Sequence, residues 1–175
     1  MRRQPARKRR ASTRALAATA IADLLRGYLD RGVFRSLGAP APRGDRLAFT
    51  IVWHHGRTFR LVVRTRERTV AFPELLPRVP ARSAMMTELR TFLRQFESPD
   101  MPPHRRVDPA KGQLRITRNQ KGVSVGIAVR GGEWKYCTRK LVHLAQEIYL
   151  VFLPDGPYQD YRVEKLGLDP DSVWT

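Results

Sequence analysis

Two runs of alternating residues, Leu47-Phe49-Ile51-Trp53 and Phe59-Leu61-Val63, constrain this chain more than any other feature. Side chains in a strand change face at every step, so each run demands one apolar face and one wetter face. His54-His55-Gly56-Arg57 lies between the runs and supplies a turn. A third strand, Thr69 to Phe72, follows the polar turn Arg66-Glu67-Arg68, and together the three read as an antiparallel meander.

Elsewhere the apolar period is helical. Ala17, Ala20, Ile21, Leu24 and Tyr28 predict a helix over about 14–31, with Ser12 or Thr13 as its cap and Gly32 as its end. Residues 1–13 carry no such period and are expected to form a disordered basic arm. The breakers in Gly38-Ala39-Pro40-Ala41-Pro42-Arg43-Gly44 predict a loop. A second helix is expected over about 82–96, with Met85, Met86, Leu89, Phe92, Leu93 and Phe96 on its buried side.

Two further strands are expected, Gln113 to Thr117 and Val123 to Arg130. Val123, Val125, Ile127 and Val129 face the core in the second of them, and the small Gly126 and Ala128 face away. A helix over 134–153 follows from Cys137, Leu141, Leu144, Ala145, Ile148 and Phe152, and Pro154-Asp155-Gly156-Pro157 ends it. Residues 158–175 form a tail expected to pack on the domain through its aromatics. The predicted fold class is α/β of the α+β type, in the order α-β-β-β-α-β-β-α. It has one mostly antiparallel five-stranded sheet, helices on one face, and a single domain over 14–157.

Charge narrows the partners. The chain has 33 Lys plus Arg against 16 Asp plus Glu, a formal +17. Seven of those cations (Arg2, Arg3, Arg7, Lys8, Arg9, Arg10, Arg14) fall in the first fourteen residues, and removing them still leaves +10. Such a balance concentrates polyanions at the surface. Only six of the cations are lysines, and the planar fork of arginine suits bidentate phosphate contacts. A genome that favours Arg, Ala and Pro codons would also produce this composition. On the strands, Arg60, Arg64, Arg115 and Arg130 face away from the apolar set, next to His54, His55 and Arg57. Phe49, Trp53 and Phe59 fall on the core side, which leaves no stacking platform for single-stranded RNA.

Chemistry-bearing motifs are few. The sequence has no Gly-x-Ser-x-Gly elbow, no His-Glu-x-x-His and no phosphate-cradling loop ending in Lys-Ser/Thr. Cys137 is the only cysteine, so an intramolecular disulfide and a cysteine-clustered zinc site are excluded, which suits a reducing, cytoplasmic setting. It lies on a buried helix stripe, and His143 sits near the edge of the same stripe. His54 and His55, adjacent at a strand end, would point to opposite faces. Arg130-Gly131-Gly132-Glu133 reads as a tight strand-to-helix connection. No catalytic residue, metal ligand or cofactor site is therefore assigned. The basic start followed by Leu16 to Ala22 is read as part of a helix with an arm rather than a secretion signal, because Asp23 and Arg26 interrupt it. Nowhere do 18 apolar residues run together.

The element order, with a long last helix from Trp134 to Leu153 running directly off a core strand, resembles the YbjN and type III secretion chaperone-like class. That resemblance spans about residues 15–153 and rests on element order, so it transfers no functional residue. It implies a non-enzymatic protein that binds other proteins, often as a homodimer.

Three functions are thus expected in turn. The first is a non-catalytic module docking on nucleic acid or ribonucleoprotein through Arg2, Arg3, Arg7, Lys8, Arg9, Arg10, Arg57, Arg60, Arg64, Arg115 and Arg130. The second is a protein-partner adaptor or homodimer using Met85, Met86, Tyr158, Tyr161 and Trp174. The third is an enzyme of a class that no motif indicates.

Overall fold

The computed structural model of the chain describes the backbone of residues 4–168 and the side chains of residues 15–168. Arg2, Arg3 and Trp174 lie outside the described residues, as do the side chains of Arg7, Lys8, Arg9 and Arg10. Helix α1 runs Gln4–Asp30, so the described backbone is already helical over most of the stretch read as an arm. Ala17, Ile21, Leu24, Leu25 and Tyr28 are its buried stripe.

Strands β1 (Ser36–Leu37) and β2 (Ala41–Arg43) come next, followed by β3 (Arg46–Trp53), β4 (Arg57–Arg64) and β5 (Thr69–Pro77). Helix α2 (Ala84–Arg94) is capped by Ser83, whose hydroxyl accepts the Met86 N–H at 3.2 Å. It leads to β6 (Gly112–Arg118) and β7 (Gly122–Val129). The sheet order is β1-β3-β4-β5-β7-β6, with β2 also on β3, and every pairing is antiparallel.

The sheet therefore has seven strands and not five. The two additional ones are short and lie in the segment read as a loop. Pro40 and Pro42 hid them, yet proline is tolerated on an edge strand, where an outward N–H has no partner to lose. The third strand is also longer than expected. It continues past Pro73 because its register with β7 breaks between Phe72 and Leu76, and the irregularity accommodates the ring.

One sheet face is the core. Leu47, Phe49, Ile51, Phe59, Leu61, Val63, Val70, Phe72, Val125 and Ile127 are buried there together with the apolar residues of the helices. Helix α3 (Trp134–Glu147) packs on β5, β7 and α1. Its next five residues, Ile148–Phe152, are wound as a π-helix before α4 (Leu153–Asp155) and α5 (Gln159–Leu166). A π turn accommodates one extra residue in a helix. Here it buries Tyr149, which donates to the Leu75 carbonyl at 2.9 Å, while Leu150 and Val151 remain exposed.

Gly126 shows why the sheet centre needs small residues. A Cβ there would lie 2.7 Å from the Ala71 Cβ and 2.8 Å from the Val70 oxygen, so β5 and β7 could not approach as they do. Among the described residues, no helix is long and apolar enough to cross a membrane.

Candidate polyanion-binding face

The second sheet face is built by the same alternation that fills the core. On β3 and β4 the residues between the buried ones are Arg46, Ala48 and Thr50, then Thr58, Arg60, Val62 and Arg64. Register decides which of them meet. Arg43 pairs with Arg46 and Arg46 with Arg64, which places three arginines in one row across β2, β3 and β4. Arg60 stands opposite Thr50 on the same face. At the other side of the sheet Arg115 stands opposite Gly126 and donates to Gln113 Oε1 at 3.1 Å.

Between these cations lies a floor of short side chains. Ala48, Val62, Ala71 and Gly126 are buried in register across four strands, and no aromatic ring occurs among them. The face therefore presents guanidinium donors over a low apolar floor.

Its electrostatics are unbalanced. Like charges directly opposite one another destabilise a sheet, so the Arg43-Arg46-Arg64 row adds nothing to folding. Only Arg64 among the three has an ion pair among the described residues, with Glu67 at 3.8 Å, and that carboxylate is largely exposed. Beyond the row, Arg130 is exposed directly after β7, and Arg68 donates to the Gly131 carbonyl. Guanidinium groups donate hydrogen bonds and cannot accept them, so the face can hold and orient anions but has no proton to exchange.

Of the residues singled out from sequence, Arg60, Arg64 and Arg115 lie on this face. Arg43 and Arg46 were missed. Arg46 shares the parity of Thr50 and could have been found from the alternation, whereas Arg43 could not be placed without recognising β2.

Arg57 lies elsewhere and corrects the expectation that it joins the cationic surface. It pairs with Trp53 and shares the parity of Phe59, so it points to the core side. There it donates to the Leu166 carbonyl at 2.6 Å and fastens α5 to the sheet. The expected partner-interface residues are also largely internal. Met85, Met86 and Tyr158 are buried, and Tyr158 donates to Glu88. Tyr161 is half-buried and donates to the Pro77 carbonyl at 2.8 Å. These contacts fill the monomer, so a partner could not reach Met85, Met86 or Tyr158 without unpacking it.

His54 and His55 do not diverge from a strand end, because β3 stops at Trp53. Both adopt positive φ (38° and 60°) in the turn with Gly56. His54 is tucked between rings, and burial, assisted by the fields of His55 and Arg57, lowers its pKa to about 3. Burial pushes the Cys137 thiol up to about 12, which suits packing and not nucleophilic chemistry. Among the described residues, no group of three or more His, Cys, Asp or Glu could hold a metal ion.

Fold and face together define an antiparallel α+β domain with one helix-covered sheet face and one arginine-bearing face. Comparison with known protein families, curated proteins and solved structures finds no match.

Proposed function

We propose that this chain is a non-catalytic binding module that docks the arginine face of its sheet on a polyanion, namely nucleic acid or the nucleic-acid part of a ribonucleoprotein. The observation that carries this reading is the Arg43-Arg46-Arg64 row. Three cations held in register at a cost to the sheet, with one weak acid partner, are compensated by phosphate and not by the fold. The floor lacks rings on which bases could stack, so the contacts are to the backbone and position the ligand without reading its sequence. The cations of residues 2–14 would add to the same attraction.

A filter-binding series on mixed RNA and DNA tests it. Binding at low salt should weaken linearly in log-log form as salt rises, with a slope near −0.9 per neutralised duplex phosphate or −0.7 per single-strand phosphate. Absence of binding at low salt refutes the reading.

Self-association, as in a chaperone-like homodimer, is a second reading. It is favoured by the adjacent exposed Leu150 and Val151, which line a cleft of about 320 Å³ with Phe96 and Leu144. Light scattering of concentrated protein distinguishes it, since a monomer at high concentration rules it out.

A further inference from the structure

We propose that the cleft between α1 and α3 is a separate site for a compact, multiply charged phosphate, the diphosphate group of a small molecule. This inference does not depend on the sheet face. The cleft has a volume of about 410 Å³, within the usual range for small-molecule sites. Arg31 on α1 and Lys135 and Arg139 on α3 supply its charge.

Among the described residues none of these three cations has an ion pair. The one acid of the lining, Asp23, is engaged by Arg26 at 3.4 Å. Lys135 and Arg139 stand one turn apart on the same side of α3, an arrangement of like charges that weakens a helix. Nothing in the fold therefore repays their grouping, whereas an anion between them and Arg31 would.

The cations also converge on one point. Arg31 lies over the Tyr28 ring at 4.9 Å from its centroid, and the fields of Arg139 and Arg31 both act on the Tyr28 hydroxyl. That hydroxyl is 3.3 Å from His143 Nε2, which closes one end of the cleft. Hydroxyl and imidazole there supply polar groups for orienting a ligand, and the guanidinium forks match phosphate oxygens.

Gly27 is the independent clue. It sits inside α1 and lines the cleft, where glycine costs about 0.5–1 kcal/mol relative to alanine. Packing does not require it, because a Cβ would meet only the tip of Arg31 at 3.4 Å. What glycine preserves at this position is open space next to the cations.

Titration calorimetry of the intact chain at low salt, with inorganic pyrophosphate as the probe, tests the proposal. One saturable site is expected, weakened about tenfold in Arg139→Gln, the loss of one charge-assisted contact. Gly27→Leu should weaken it comparably by filling the cleft while leaving the melting temperature no lower. Arg46→Gln/Arg64→Gln, on the opposite sheet face, should leave it unchanged. Repeating the titration with a nucleoside diphosphate separates the two sources of the group: tighter binding assigns it to a larger molecule, and equal binding to the free anion. Failure to saturate, or a loss in Arg139→Gln no greater than in the sheet-face pair, overturns the proposal.

Discussion

The His54 ring lies face to face with Tyr149, their centroids 4.6 Å apart and their planes 9° from parallel. Trp53 covers its other side at 3.9 Å. The ring's Nε2 is buried with no hydrogen-bond partner, so a proton added there would find no acceptor. Folding thus holds the imidazole neutral, with its pKa lowered to about 3 from an ordinary 6.5. A base whose folded pKa is depressed stabilises the fold fully above its unfolded pKa. That contribution is lost as pH falls from 6.5 toward 3, because the unfolded chain takes up the proton first. Urea unfolding should therefore show a loss of up to about 3 kcal/mol between pH 6.5 and pH 4. His54→Phe, which keeps a ring in the stack, should flatten most of that slope.

The arginine row separates stability from binding. Arg46→Gln/Arg64→Gln should leave stability unchanged or raise it by about 0.5 kcal/mol, since opposed like charges are removed. The same pair should weaken nucleic-acid binding and reduce the magnitude of the salt slope by about 2, one for each lost phosphate contact. Melting curves and a salt series on one preparation check both.

Arg57 should behave as a fastener of the C-terminal segment. Arg57→Met keeps the aliphatic stem and removes the donor to the Leu166 carbonyl. A cost of about 1–3 kcal/mol is expected, with amide exchange accelerated chiefly over residues 156–168 and little changed in the sheet. Uniform acceleration across the sheet would contradict it.

Gly126→Val should be among the most damaging single changes. Its Cβ would meet the Ala71 Cβ and the Val70 oxygen inside van der Waals contact, and strand backbone cannot swing away as a side chain can. Overpacking of this kind costs about 1–3 kcal/mol, readable as a shift in the urea midpoint at constant slope. Ala128→Val, two residues along on the same face and only half-buried, should cost far less.

The hairpin of β3 and β4 was legible because alternation is local and strict, and parity alone assigned Arg60 and Arg64 to the outward face. Arg43 was not legible, since its place depends on pairing with Arg46 across a turn rich in breakers. Arg57 was misplaced because a turn reading overrode its parity with Phe59. The cleft between α1 and α3 was invisible, because neither Gly27 nor Arg139 signals anything until two helices distant in sequence are laid side by side. Met85 and Met86 were correctly set on a buried stripe, and it is that burial which removes them from a partner's reach.

The π-helical stretch at Ile148–Phe152 gives the C-terminus an unusual dependence on chain length. Successive residues of a helix are about 100° apart, so deleting a single residue from this stretch would let α3 continue with ordinary winding and rotate everything after it by that angle. Leu166 would then swing off Arg57, and Tyr161 off Pro77. Whether the last helix finds its berth is set by a one-residue count made some ten residues earlier. Insertions and deletions there should be far less well tolerated than substitutions at the exposed Leu150 and Val151.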